Sequence, residues 1–255
     1  MPLAPVILLP GAVLPAALAY GRLLSVLGPD VDAFAKDLEL YATDSPPVDY
    51  TLDDEVGGVL QAADARGWDR FHLVGYSGGG AAGLAVAARH GDRLLSLALL
   101  EPAWAGDWDW SPQHRELWAA QRRMLALPAD EFMAEFMRLA VAPGVEPPQQ
   151  PPGEPAAWMA LRPAGISALV RAFDTYALDR VALTSFQGPV YFALGGLSNP
   201  DQYGHIAARL GQVFGDYRVE VFDDRHHFDP PHRTEPERLA RSLRAVWARS
   251  EGPAP

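Results

Sequence analysis

The feature that most constrains the fold of this chain is the pentapeptide Gly-Tyr-Ser-Gly-Gly at residues 75–79, together with its flanks. The apolar run 71–74 before it predicts a buried strand, and the small residues 80–88 after it predict a helix. So sharp a strand-to-helix turn brings backbone segments together, which favours glycine at its first and last positions. Ser77 would then lie at a helix N-terminus, where free N–H groups and the helix dipole favour negative charge. A Gly-rich structural turn is the alternative, and the two flanks favour a functional serine over it.

Strand-like apolar runs alternate with helix-like stretches along most of the chain. The strand-like runs lie at residues 6–9, 31–34, 71–74, 94–100, 190–194 and 217–222. This alternation predicts an α/β fold with a mostly parallel sheet of about six strands and helices on both faces. Ligands of such sheets bind beyond the carboxyl ends of the strands. The chemistry-bearing residues that follow strands at this edge are Gly11, Ser77, Glu101 and the His226-His227 pair.

These segments, in this order, resemble the α/β-hydrolase family over nearly the whole chain. Residues 8–12 resemble the loop that helps to form the family's oxyanion hole, and Ser77 matches its nucleophile. The later segments that resemble the family are the strands at 94–100 and 189–196 and the His-containing segment 226–228. The resemblance implies an α/β-hydrolase fold.

Residues 104–186 interrupt the alternation of strands and helices. The elements predicted here are helices at about 112–127, 129–140 and 155–176 and an extended Pro-rich loop at 143–153. The resemblance implies that an insertion at this point is a helical lid over the active site. We therefore expect a hydrolase core at 1–103 and 187–255 and a lid at 104–186.

Five of the seven tryptophans fall within the predicted lid. Ordinary packing within the lid is one explanation for each of them. The functional alternative is an aromatic wall for an apolar acyl or ring group. Because Trp104 and Trp108 lie closest in sequence to the active-site edge, we expect these two to bind the substrate.

A serine hydroxyl needs an imidazole to take its proton before it becomes a good nucleophile. Three of the seven histidines, at positions 226, 227 and 232, cluster after the last predicted strand. His227 is followed by an aromatic residue, as the family's catalytic histidine often is. The resemblance therefore implies His227 as the base, with His226 as the alternative.

A metal site is the competing interpretation of this histidine cluster. Its ligands would be His226, His227, Asp229 and His232. The segment lacks the H-x-x-x-H spacing of a helical metal site, and Pro230 and Pro231 break it. We therefore expect no metal, and the serine chemistry needs no cofactor.

The third member of the implied triad is where the sequence departs from the family pattern. Asn199 stands before Pro200, at the place where the family usually has an aspartate. An amide can orient an imidazole but cannot offset the charge that develops on it. Glu101, directly after the strand 94–100, occupies a site that some family members use instead, so we expect Glu101 to be the acid. Asp201 and Asn199 remain alternatives.

The resemblance implies hydrolysis of an ester or thioester of a small, fairly apolar substrate through an acyl-enzyme. The backbone N–H groups of Ala12 and Gly78 would hold the oxyanion, although Pro10 replaces the family's usual histidine. Lactone or carbon–carbon bond hydrolysis is an alternative on the same residues. A ligand-binding pseudoenzyme is another, which Asn199 keeps open.

Charge and composition limit the classes of partner and the cellular compartment that we expect for this protein. The net charge of −11 and the pI of about 5.0 disfavour nucleic acid and anionic membranes as partners. The charge does not identify a substrate, and a small-molecule substrate is what the resemblance implies. No apolar run approaches the ~18 residues of a membrane span, and the first residues do not predict a signal peptide. With no cysteine in the chain, we expect a cytoplasmic protein. The oligomeric state is left open.

Overall fold

The computed structural model describes residues 3–148 and 156–250, and its centre is a six-stranded sheet. The strands are β1 (Leu3–Leu9), β2 (Val31–Ala35), β3 (Phe71–Tyr76), β4 (Leu94–Leu100), β5 (Val190–Gly195) and β6 (Tyr217–Phe222). Their order across the sheet is β2-β1-β3-β4-β5-β6, and every neighbouring pair is parallel. The prediction of a parallel sheet of about six strands is therefore confirmed.

The central strands are mostly apolar because helices cover both faces of the sheet. The buried His72 of β3 and Ser96 of β4 are exceptions, and they hydrogen-bond to each other at 2.7 Å. Along β1, Ile7 and Leu9 face one hydrophobic core, while Val6 and Leu8 face the other. The helices are α1 (Ala16–Leu27), α2 (Leu52–Asp64), α3 (Gly78–His90), α4 (Pro112–Met124), α5 (Ala129–Ala140), α6 (Arg162–Thr175), α7 (Arg180–Thr184), α8 (His205–Leu210), α9 (Pro231–Thr234) and α10 (Pro236–Ser250). Helices α1 and α10 pack together on one face, and α2 and α3 pack together on the other.

The sequence pattern predicts a single helix at 201–214, after β5, and the structure differs from this prediction. A π-helical turn, Pro200–Gly204, comes first, and the short helix α8 follows it. The side chain of Asn199 caps this turn by accepting a hydrogen bond from Asp201 N at 3.0 Å. π-Helical turns are rare in proteins, and those that occur are often found at functional sites. This one lies at the carboxyl end of the sheet.

Four helices, α4 to α7, lie between β4 and β5, where the sequence predicts a helical insertion. The insertion contacts the core through a bridge between Val141 and Ser198 and through a hydrogen bond from Asn199 N to Ala140 O. Part of the predicted Pro-rich loop and the start of the third predicted helix, at 149–155, lie outside the described residues. The division into a core and a lid domain stays a prediction. Among the helices of the described ranges, none combines the length and apolar character needed to cross a membrane.

Candidate active site

Ser77 lies at the turn between β3 and α3, in a backbone conformation that side-chain-bearing residues rarely adopt. Its φ is 53° and its ψ is −117°. A Cβ added to Gly75 would lie 2.3 Å from Gly79 O, and one added to Gly79 would lie 2.5 Å from the carbonyl oxygens of Leu9 and Pro10. The two glycines are therefore required by close backbone approach, as the sequence predicts. The turn presents Ser77 at the carboxyl edge of the sheet.

The structure brings Ser77, His227 and Glu101 together in one hydrogen-bonded array. His227 Nε2 lies 3.0 Å from Ser77 Oγ, and His227 Nδ1 lies 3.1 Å from Glu101 Oε2. The second carboxylate oxygen of Glu101 accepts a hydrogen bond from Gly195 N at 2.7 Å. All three side chains of the array are buried, with exposed fractions of 6% or less. Such an array can activate a serine hydroxyl.

Packing holds the imidazole of His227 in this orientation. The ring of Tyr203 stacks on it, with centroids 4.3 Å apart and planes 13° apart. The ring of Phe228 meets it edge-on. On the backbone side, the Tyr76 hydroxyl donates a hydrogen bond to His227 O. The imidazole is thereby fixed between Ser77 and the carboxylate.

His226 makes a local contact and does not enter the array. Its Nδ1 accepts a hydrogen bond from Phe228 N at 3.2 Å, and partial burial lowers the pKa of its imidazole. The carboxylate of Asp229 pairs with Arg225 Nη1 at 2.7 Å. Within residues 3–148 and 156–250, no group of three or more potential ligands gathers in a way that could hold a metal ion.

The two alternative third members have other partners. The Asn199 side chain accepts a hydrogen bond from Asp201 N and donates one from Nδ2 to Leu139 O at 2.8 Å. The backbone oxygen of Asp201 accepts a hydrogen bond from His114 Nδ1 at 2.7 Å. Neither side chain hydrogen-bonds to His227 within the described residues. The carboxylate in contact with the imidazole belongs to Glu101.

Ala12 and Gly78 lie side by side next to Ser77. A Cβ added to Gly78 would lie 3.8 Å from Ala12 N. Neither residue's N–H donates to an acceptor in the described part of the chain. The Ala12 carbonyl accepts a hydrogen bond from the Tyr41 hydroxyl at 2.7 Å, which fixes the loop after β1. Two free N–H groups beside a serine can hold an oxyanion.

A small cavity of about 30 Å³ opens beside Ser77, with room for about two water molecules. Its polar lining, besides Ser77, consists of Gln121, Gln202 and Tyr203. Its remaining lining is apolar and consists of Ala12, Ala103, Phe136, Leu139, Ala140, Ile166, Leu169, Val170 and Phe173. Most of the apolar wall comes from α5 and α6. A larger open groove of about 530 Å³ lies on another face of α6 and contains no residue of the Ser77 array.

The structure corrects the expected positions of Trp104 and Trp108. The Trp104 ring is 1% exposed and stacks on Phe173 at 5.4 Å, so it supports the cavity wall from behind. Trp108 packs against the guanidinium of Arg209, 5.1 Å from the ring centroid. Neither tryptophan lines the cavity beside Ser77.

The cavity wall contains residues that the sequence reasoning did not single out. Along α6, Ile166, Leu169, Val170 and Phe173 follow an i, i+3, i+4, i+7 pattern, which marks one apolar helix face and could have identified them. Tyr203 had no such signal, because its position depends on the π-helical turn.

Comparison with known proteins identifies a family that matches most of the chain. The alpha/beta hydrolase family matches residues 6–242 of the chain. A 55-residue stretch is 42% identical to the putative carbamate hydrolase RutD of Caulobacter segnis, and it covers 22% of this chain. The match spans only 21% of that relative's length, about a fifth.

Solved structures resemble the whole fold. A thermophilic esterase from Thermogutta terrifontis has a TM-score of 0.71 and 17% identity, over 97% of this chain and 90% of its own. The carboxylesterase CesB of Bacillus subtilis has a TM-score of 0.64 and 17% identity, over 95% and 83%. The enol-lactonase of Burkholderia xenovorans has a TM-score of 0.62 and 19% identity, over 96% and 92%. At these identities the likeness concerns the fold. With the family match over residues 6–242, it follows that the chain belongs to the alpha/beta hydrolase family.

Proposed function

We propose that the protein is a serine hydrolase that cleaves an ester or thioester of a small, fairly apolar substrate through an acyl-enzyme. The observation that carries this proposal is the buried array of Ser77, His227 and Glu101 beside an apolar cavity. Membership of the hydrolase family supports hydrolysis as the reaction class. The esterase from Thermogutta terrifontis and the carboxylesterase from Bacillus subtilis share the fold.

In the first step, Ser77 Oγ attacks the carbonyl carbon of the substrate while His227 Nε2 takes the hydroxyl proton. The imidazole becomes positively charged as this happens. The carboxylate of Glu101, at Nδ1, keeps the imidazole in the tautomer that can accept the proton and offsets the new charge. The tetrahedral intermediate carries its negative charge on the former carbonyl oxygen.

In this proposal the free N–H groups of Ala12 and Gly78 hold that oxygen. Preorganised donors of this kind stabilise charge that appears only in the transition state. Gly78 is also the first residue of α3, so the positive end of that helix dipole faces the same oxygen. The role of the loop after β1 is thus to supply a second donor to the oxyanion.

The reaction then divides at the acyl-enzyme. His227 gives its proton to the leaving group, and the acyl group stays on Ser77. A water molecule attacks the acyl carbon while His227 takes its proton. The bond to Ser77 Oγ then breaks, His227 returns the proton to Oγ, and the acid is released. The apolar residues of α5 and α6 would contact the acyl group, which makes the insertion a lid in this proposal. The small cavity favours a short acyl group.

Lactone hydrolysis is the second candidate, because a cyclic ester needs the same attack, oxyanion hole and base. The enol-lactonase of Burkholderia xenovorans shares the fold. A ligand-binding pseudoenzyme is the alternative from another class, and its ground is Asn199 in place of an acid. The contact between Glu101 and His227 supports the enzyme over it.

Hydrolysis of p-nitrophenyl acetate by purified variants tests the proposal. Ser77→Ala should abolish turnover, and His227→Ala should lower kcat by about 10⁴-fold. His226→Ala is the matched control and should cost far less, because its imidazole contacts only the local backbone. Turnover by Ser77→Ala at the parent rate would refute the serine mechanism. A larger loss in His226→Ala than in His227→Ala would assign the base to His226.

A further inference from the structure

Tyr203 differs from the other tyrosines of the protein in the hydrogen bonding of its hydroxyl group. The chain has eight tyrosines, and all eight lie within the described residues. The hydroxyls of the other seven donate to protein acceptors; these residues are Tyr20, Tyr41, Tyr50, Tyr76, Tyr176, Tyr191 and Tyr217. The Tyr203 hydroxyl has no partner among the described residues, although the side chain is only 2% exposed. An unpaired buried hydroxyl is unfavourable, so it calls for a partner from outside the protein.

The place of Tyr203 shows where that partner would lie. Its side chain lines the cavity beside Ser77, and its hydroxyl is not among the unpartnered atoms that are sealed from solvent. Its ring stacks on the imidazole of His227. A group bound by this hydroxyl therefore lies within a few bonds of the carbonyl that Ser77 attacks.

Gln121, a residue of the insertion, lines the same cavity and has a second polar atom without a partner among the described residues. Gln202 Nε2 donates to Ala103 O at 2.9 Å, so Gln202 Oε1 is left to accept a hydrogen bond from Gln121 Nε2 at 3.1 Å. This chain of bonds leaves Gln121 Oε1 as an acceptor with no partner in the described residues. Within the described part of the chain, two residues of the cavity lining thus have an unpaired donor, the hydroxyl of Tyr203, and an unpaired acceptor, the amide oxygen of Gln121. The other walls are largely apolar.

We infer that Tyr203 and Gln121 form a recognition point for a hydroxyl group, and that the preferred substrates are small esters whose acyl chain carries one. A hydroxyl can accept a hydrogen bond from Tyr203 and donate one to Gln121 Oε1 at the same time. Both residues line the same cavity of about 30 Å³ beside Ser77. A plain aliphatic chain would leave both polar groups unpaired, which is how such sites discriminate against the deoxy analogue. This inference rests on the proposed serine hydrolase function.

Matched esters test the inference. Values of kcat/KM are measured by pH-stat titration for ethyl butyrate and for each enantiomer of ethyl 3-hydroxybutyrate. The parent enzyme should prefer one hydroxy ester over ethyl butyrate by about tenfold or more. Tyr203→Phe keeps the aromatic ring against His227 and removes only the hydroxyl, so the preference ratio should fall about tenfold. Gln121→Leu should lower the same ratio.

Tyr217→Phe is the control variant. It also removes one tyrosine hydroxyl, whose bond is to Ala207 O away from the cavity, so the ratio should not change. Equal losses on both substrates in Tyr203→Phe would mean that Tyr203 only positions His227, and the inference would be wrong. A parent enzyme without preference would also overturn it.

Labelling with a fluorophosphonate separates this failure from a failure of the proposed function. If Ser77 is labelled and the esters are hydrolysed without preference, only the recognition by Tyr203 and Gln121 is refuted. If Ser77 is not labelled and no ester is hydrolysed, the serine mechanism fails and the inference falls with it.

Discussion

Glu101 Oε2 lies 3.1 Å from His227 Nδ1, although 126 residues separate the two in the chain. Glu101 directly follows β4, and its other oxygen is held by the backbone N–H of Gly195, at the end of the neighbouring strand β5. The order of the strands therefore brings this carboxylate to the histidine loop. In this position Glu101 gives the imidazole of His227 a charged partner, which the neutral amide of Asn199 could not be.

Glu101→Gln should lower kcat by about 10²- to 10⁴-fold. The new amide can keep its oxygen on Gly195 N, which turns its NH₂ group toward His227 Nδ1. The imidazole would then carry its proton on Nε2 and could not accept one from Ser77. Steady-state kinetics with p-nitrophenyl acetate measure this loss.

Asn199→Ala is the comparison for that experiment. Its side chain caps the π-helical turn and donates a hydrogen bond to Leu139 O. Its removal should therefore lower the thermal midpoint of unfolding, with only a small effect on kcat. A loss in kcat larger than that of Glu101→Gln would move the acid role away from Glu101.

Tyr41 connects the insertion to the loop that carries Ala12. Its hydroxyl bonds Ala12 O, and the Arg162 guanidinium lies 3.9 Å from its ring centroid. Tyr41→Phe should lower kcat by about three- to tenfold and leave KM nearly unchanged, because one hydrogen bond that orders the oxyanion loop is lost. Tyr50→Phe, which removes a bond to Glu55, should lower stability without this loss in kcat. A shift in KM alone for Tyr41→Phe would place its role in substrate binding.

The buried His232 should make the stability of the fold sensitive to acid. It is buried between the rings of Tyr20 and Tyr76, and neither ring nitrogen has a hydrogen-bond partner among the described residues. This burial lowers the pKa of His232 to about 3. The unfolded chain takes up a proton below about pH 6.5, while the folded protein does not, so stability falls as the pH drops from about 6.5 toward 3.

Replacement of His232 by leucine should weaken that pH dependence. Each such group contributes a slope of about 1.4 kcal/mol per pH unit to the free energy of unfolding. The free energy of unfolding of the parent and of His232→Leu is measured by urea unfolding at several values between about pH 4 and pH 6. The slopes of this free energy against pH should differ by that amount. The variant keeps some dependence, because burial also lowers the pKa of His72 and of His114 to about 4. Identical slopes would mean that His232 is protonated in the folded protein as well.

The sheet and the turn at Ser77 could be predicted from the sequence because both depend on local patterns. Apolar runs of strand length mark strands covered on both faces, and the glycines at 75 and 79 follow from backbone crowding. The order of the strands then fixes which loops meet at one edge.

Side-chain directions within the insertion and in the turn after β5 could not be predicted in this way. Trp104 is adjacent in sequence to the active-site edge, yet its ring packs behind Phe173. Tyr203 reaches His227 because Asn199 and Pro200 begin a π-helical turn where an ordinary helix was expected. Both outcomes depend on tertiary packing, which a single sequence does not display.

Covalent labelling with a fluorophosphonate, followed by mass spectrometry of the peptides, tests the serine mechanism most directly. The serine mechanism predicts one adduct per chain, located on Ser77, no adduct in Ser77→Ala and much slower labelling in His227→Ala. An unlabelled parent protein, or an adduct on a residue other than Ser77, would contradict it.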